Sequence, residues 1–333
     1  MNPNAQILHS LNFARVVANR VFCLKNHDIM KEILILFYNT LWGVPWKSLC
    51  CEPPEGFAFT RDRRRMAEAD AVVFHLPDLR QQMEGDLEKR EGQIWVAWSL
   101  ESEENYPGLM KDEDIRSYFD LWMGYHQGDD VLHTYYTFLD RKALTTPPSR
   151  RPALNKACMF ISSPFNRSHR LEYIRELMRH TEIDSYGKVL HNRDLTGADC
   201  GASTLMEVIR DYKFVLGFEN ALSPDYVTEK FFNPLLAGTV PVYRGAPNVR
   251  DFAPGEHCFV NVEAYDSPRA LADFLNRCYA DDDLYEQFYT WRRIPLRTAF
   301  VQKLQEVEMH PFIRLCRKVA GMRNGIRFDS GSL

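Results

Sequence analysis

At 333 residues, with 45% hydrophobic and 13% aromatic side chains, the chain is too long for one ordinary core and has the apolar content to fill two. A formal net charge of −4 gives no overall basic field, which argues against nucleic acid as a partner. Eight cysteines lie scattered without a CxxC pair or a histidine at ligand spacing, so neither a disulfide scaffold nor a zinc site is indicated.

Residues 1–30 read as a helical or irregular lead-in, with amphipathic spacing in Leu8, Leu11, Val16 and Val17 and without the basic-then-apolar layout of a secretory signal. Residues 31–38 form a buried-strand pattern, followed by the turn-prone Trp42-Gly43-Val44-Pro45. The longest apolar run, 33–46, is interrupted by Asn39, Thr40 and Pro45 and is too short to cross a bilayer. A cytoplasmic location without a transmembrane segment is therefore expected, and peripheral membrane contact is left open. A polar helix is predicted over 61–68, a second strand over 71–76 and a third over 93–99, which ends in the acidic loop Glu101-Ser102-Glu103-Glu104. His75 closes the second strand; a structural role is expected for it, with acceptor binding as the alternative. Another short aromatic element spans 115–125.

Turn formers concentrate at 145–152, which places a boundary between a domain over 1–150 and a second over 151–300, with a C-terminal helix and tail over 301–333. The second domain opens with a strand at 157–162 and a helix at 170–179 spaced by Leu171, Ile174, Leu177 and Met178. Strands at 183–186, 212–218 and 239–243 alternate with a helix at 204–212, and helices follow over 268–293 and 300–319. Such alternation implies a mostly parallel sheet with right-handed crossovers, whose ligands sit beyond the C-terminal strand ends. Ser162, Ser163, Glu219, Asn220 and Arg244 fall there.

The stretch 212–230 carries the most chemistry. An apolar strand ends in Glu219-Asn220, and Ser223-Pro224-Asp225 reads as a helix start. Lys230 would then lie in the first turns of a helix, where a cation opposes the dipole unless an anion is bound. Glu229 and Lys230 project about 100° apart on a helix, so they are expected to serve different parts of one ligand. The runs Asp129-Asp130 and Asp281-Asp282-Asp283 read as solvated turn or helix-start charges, and no metal is called for.

Phe218-Glu219-Asn220, the run Asp225-Tyr226-Val227-Thr228-Glu229-Lys230, Asn233, Ala237-Gly238, Val240-Pro241-Val242 and Gly245 together resemble the signature block of the α-1,3-fucosyltransferases, glycosyltransferase family 10. Ser162-Ser163 with Asn166 and Arg170, and the run 183–187, are similar to that family's donor-domain segments. Residues 95–102 resemble its Trp-rich strand leading to a Glu-Ser pair, and the likeness covers roughly residues 31–300. Two departures are Pro234 in the helix after Lys230 and Glu103 where the family often has proline. With no anchor before the domain and no repeat array after it, the chain looks like a bacterial-type soluble member or a bare catalytic unit.

The resemblance implies an α/β fold in the GT-B arrangement, two Rossmann-like domains facing a cleft. GDP-β-L-fucose would be held by the C-terminal domain and an N-acetylglucosamine-containing oligosaccharide by the N-terminal one. It further implies inverting transfer of L-fucose to a hydroxyl, O3 of N-acetylglucosamine, without a metal. Arg170 and Lys230 would stabilise the departing pyrophosphate, Glu229 would accept the ribose hydroxyls, and Asn220 and Tyr226 would orient fucose or phosphate. Tyr186 and Lys188, with His191 and Asn192 beside them, stand where guanine or phosphate contacts arise. The base is expected at Glu101, with Glu103 and Glu104 as rivals. The competing readings are a same-fold transferase with another donor or linkage, and a catalytically silent homologue that binds glycan or GDP.

Overall fold

The computed structural model describes residues 32–82, 87–137, 139–148 and 150–324. The expected lead-in over 1–30 and all of the tail beyond Asn324 lie outside them. Six strands, β1 (Ile33–Phe37), β2 (Phe57–Thr60), β3 (Ala71–His75), β4 (Ile94–Ser99), β5 (Leu121–Gly124) and β6 (Val131–Leu132), form a first sheet in the order β2-β1-β3-β4-β5-β6. Five more, β7 (Leu154–Met159), β8 (Ile183–Ser185), β9 (Tyr212–Phe218), β10 (Val240–Arg244) and β11 (Val260–Asn261), form a second in the order β11-β10-β9-β7-β8. Every pairing is parallel. Helices cover both faces, so β3, β4 and β9 are buried throughout, which is why they read as continuous apolar runs rather than alternations.

In each sheet the first strand is flanked on both sides by later ones, so the winding reverses between β1 and β3 and again between β7 and β9. Ligand crevices open at such reversals, beyond the carboxyl ends of the strands. The last described helix, Pro311–Arg323, returns to the first sheet. It buries Phe312, Leu315, Cys316 and Val319 in one core with Phe37 and Trp98, and the Phe312 ring lies 4.5 Å from Phe37. The amphipathic pattern of 300–319 showed a helix but not which sheet it would cover. Short edge strands β2, β6 and β11 carry too few residues for a periodic signal, and the predicted helix at 61–68 is a single 3₁₀ turn, Arg63–Arg65.

The helix after β9 differs from expectation in its start. Ser223, Pro224 and Asp225 stay in the loop, where Asp225 is left-handed at φ 64°. Thr228 is the N-cap instead, its hydroxyl accepting from the Lys230 N–H at 3.3 Å, and the helix runs Glu229–Ala237 to a left-handed Gly238 (φ 83°). Lys230 therefore does sit in the first turn. Pro234 lies inside this helix and has no N–H to give the Lys230 carbonyl. Gly217 of β9 packs there with its bare Cα, and a Cβ at that position would stand 2.5 Å from the Lys230 oxygen.

Candidate active site

A cavity opens at the reversal between β7 and β9. Most of its walls come from strand ends and helix starts. Ile161, Ser162 and Ser163 follow β7, Tyr186 and Gly187 follow β8, and Asn220 follows β9. Arg170 begins the helix Arg170–Leu177, and Glu229, Lys230 and Asn233 come from the first turns of Glu229–Ala237. Across the cleft, the loop after β4 supplies Glu101. Asn220 and Glu101 meet at 3.4 Å, so the two sheets share one site.

Arg170 is 1% exposed and donates to the carbonyls of Phe218 (2.9 Å) and Ser163 (3.0 Å), which fixes the guanidinium at the ends of both strands. Burial lowers its pKa from the ordinary arginine value. Its Nε has no partner, nor has Asn220 Oδ1 or Glu229 Oε2. Each such buried atom costs about 1–3 kcal/mol. One donor and two acceptors left unsatisfied around a single cavity describe a place completed by a polar ligand.

Lys230 Nζ reaches Glu229 Oε1 at 3.0 Å, Thr228 Oγ1 at 3.1 Å and Glu219 Oε2 at 3.2 Å. Burial pulls its ammonium pKa down, but Glu219 and Glu229 outweigh that, so the net shift is upward and the side chain is a cation. Contrary to the helical-projection argument, Glu229 and Lys230 touch, because long side chains at a helix start can bend towards each other. Only Glu229 Oε2 remains free for a ligand. Glu219 is fully buried, accepts from the Thr228 N–H and hydroxyl at 2.9 and 2.8 Å, and serves as the structural ion-pair partner of Lys230.

The three acidic residues after β4 have different surroundings. Glu101 is 3% exposed and accepts from Asn105 Nδ2 at 3.1 Å; burial raises its pKa above the ordinary carboxylate value against the pull of Lys230. Burial also pushes Glu103 upward, but hydrogen bonds from His126, Ser223 and Tyr125 prevail and hold it at about 2. Glu104 is paired with Lys111 at the surface.

Residues 151–328 match the family model described as glycosyltransferase family 10 (fucosyltransferase) C-term, and residues 30–136 match that of the fucosyltransferase N-terminal region. The chain belongs to glycosyltransferase family 10. GDP-fucose protein O-fucosyltransferase 3 of Mus musculus is 45% identical over 181 residues, 53% of this chain and 37% of that protein. Alpha-(1,3)-fucosyltransferase B of Drosophila melanogaster is 31% identical over 252 residues, 69% of this chain and 55% of that protein. The chain thus spans well under two thirds of the length of these relatives. A solved α1,3-fucosyltransferase with GDP-fucose shares the fold, with a TM-score of 0.52 at 15% identity over 92% of this chain and 96% of that one. The two Rossmann-like units and their cleft are the GT-B arrangement.

Within this family 10 chain, several expected residues stand elsewhere. Tyr226 is not in the cavity lining; it is buried against Tyr125 (5.0 Å) and Tyr135 (6.2 Å) of the other half, where its ring packs the interface. Lys188 is exposed and outside the lining, contributing only a backbone N–H to Ser162 Oγ at 3.4 Å. His191 bridges the Gly187 carbonyl and Asp194, while Asn192 closes the loop by accepting from Ser185 N–H and donating to the Ile183 carbonyl. Arg244 pairs with Glu263. His75 is wholly buried between Trp42 and Trp98 and bonded to Asp78, a structural histidine. Asp129 is not a solvated charge: burial raises its pKa to about 6.

Other lining residues were given no site role from sequence, although Asn233 belongs to the signature run. Phe160, one residue past β7, stacks on Tyr186 at 4.9 Å and 12°, making an aromatic wall that the strand-end rule would have indicated. Asn233 follows Glu229 by four residues, hence on the same helix face. Leu205 belongs to the helix predicted at 204–212 and Asp199 to the loop before it, and neither carried a signal for lining a site.

Proposed function

We propose that this chain transfers L-fucose from GDP-β-L-fucose to a polypeptide hydroxyl with inversion at the anomeric carbon. The observation that carries the donor half is the set of unsatisfied atoms, Arg170 Nε, Asn220 Oδ1 and Glu229 Oε2, around one cavity beside the cationic Lys230. In this reading residues 151–300 hold the donor and 1–150 the acceptor. Arg170 and Lys230 take the pyrophosphate, Glu229 Oε2 accepts from the ribose hydroxyls, Asn220 addresses the fucose, and the Tyr186–Phe160 wall stacks the guanine.

As the acceptor oxygen attacks the anomeric carbon, Glu101 takes its proton. The bond to the β-phosphate oxygen breaks and its electron pair leaves on GDP, where the two cations stabilise the added charge. The raised pKa of Glu101 suits a base working near neutrality. Its place opposite the donor walls supports an in-line approach from the far side.

The polypeptide acceptor is supported by the 45% identity to a protein O-fucosyltransferase. A second reading, α-1,3 transfer to O3 of N-acetylglucosamine in an oligosaccharide, is supported by the α-(1,3)-fucosyltransferase relative matched over 69% of this chain. Incubation with GDP-fucose and two panels, folded polypeptide domains and N-acetylglucosamine-terminated oligosaccharides, separates them by which panel gains fucose. Transfer to neither, with GDP bound and no donor hydrolysis, would establish the silent-homologue reading instead.

A further inference from the structure

Glu103 and its neighbours form a charged cluster that the donor site and the base do not use. The loop 221–228 connects two cavity walls, Asn220 on one side and Glu229–Lys230 on the other. Its middle is tied to the first half of the molecule. Ser223 Oγ donates to Glu103 Oε1, while Tyr125 Oη and His126 Nε2 bond Glu103 Oε2, the latter at 3.1 Å. His126 Nδ1 lies 3.6 Å from Asp225 Oδ2, and the Gln127 N–H donates to the same oxygen at 3.1 Å. On its own side Asp225 is held in its left-handed conformation by two bonds with Asn248, at 2.8 and 2.9 Å. Three donors converge on the two Glu103 oxygens, so this carboxylate is engaged in holding the loop.

We propose that Glu103 is a positioning residue that fastens the loop 221–228, and with it the Asn220 and Lys230 walls of the donor cavity, to the sheet that carries Glu101. The loop has no regular secondary structure of its own to hold its shape between residues 221 and 228. A negative Glu103 gathering two hydroxyls and an imidazolium supplies that shape from across the cleft. Its low pKa agrees with a carboxylate kept ionised in this role.

The inference rests on the donor reading for its functional consequence but not for its structural one, and the test separates them. Glu103→Gln and the milder Ser223→Ala are compared with wild type and with Glu104→Gln as a surface control. In the absence of ligand, amide hydrogen exchange within 221–228 should accelerate about tenfold or more, while exchange in both sheets stays unchanged. GDP affinity by calorimetry should weaken about tenfold, with kcat at saturating donor altered less than about threefold. Unchanged exchange and unchanged GDP affinity in both variants would overturn the proposal. So would a Glu103→Gln variant that binds GDP normally but has lost kcat, which would make Glu103 the base. A wild type that binds no GDP would sink the donor reading and leave the exchange result to decide the fastening.

Discussion

Replacing Glu101 by Gln is the sharpest test of the proposed chemistry, because the structure predicts what survives the change. Glu101 Oε2 accepts from Asn105 at 3.1 Å and from Asn220 at 3.4 Å. A glutamine can present its carbonyl oxygen to the same two amides, so the Asn220 wall should keep its place. Lys230 retains Glu219 and Glu229 and stays charged. What is lost is the ability to take a proton, which for a general base is about 10²–10⁴ in kcat, or about 2.7–5.5 kcal/mol of barrier. Steady-state kinetics with GDP-fucose, paired with calorimetric GDP binding, should show this fall in kcat at unchanged GDP affinity. The wild-type rate should also have an acidic limb above the ordinary carboxylate pKa, because burial raises that of Glu101; the variant should lack the limb. Transfer at full rate with an intact acidic limb would refute the assignment.

Glu229→Gln should weaken GDP about tenfold by calorimetry while leaving inorganic pyrophosphate affinity within about threefold, because its free oxygen is assigned to the ribose; equal losses for both ligands would contradict that role. Gly217→Ala places a methyl 2.5 Å from the Lys230 carbonyl and should cost about 1–3 kcal/mol in denaturant unfolding; a neutral result would mean that the helix start can move away. His126 faces the carboxylates of Glu103, Asp225 and Asp129. Burial alone would lower its pKa from 6.5, but bonds to Asp225 and Glu103 raise it to about 9. A raised pKa stabilises the fold fully below the unfolded value and less as pH climbs through the folded one. The difference in thermal midpoint between wild type and His126→Gln should therefore shrink from about pH 7 to about pH 10, and a constant difference would count against the cluster.

The two-sheet α/β plan was legible because β1, β3, β4, β9 and β10 are buried apolar runs between recognisable turns, whereas β7 carries Asn155 and Lys156 in its outer half and begins three residues before the predicted strand. Arg170, Asn220, Glu229, Lys230, Tyr186 and Glu101 were legible as neighbours because strand ends and helix starts meet at the winding reversal. Tyr226 misled because its position in the run 225–230 says nothing of direction, and its ring turns to the other half. Ser223-Pro224-Asp225 misled for a related reason. Its local chemistry is that of a helix start, yet Ser223 and Asp225 spend their side-chain bonds on Glu103, Gln127 and Asn248, partners distant in sequence. The three glutamates after β4 could not be ranked from sequence, since what divides them is burial and the company each keeps across the cleft.

A crystal structure with GDP bound tests the central claim most directly. The account predicts the pyrophosphate against Arg170 and Lys230, the ribose hydroxyls on Glu229 Oε2, and Glu101 facing the space beyond the β-phosphate. A nucleotide seated away from the reversal between β7 and β9, or with its phosphates out of reach of both cations, would contradict it.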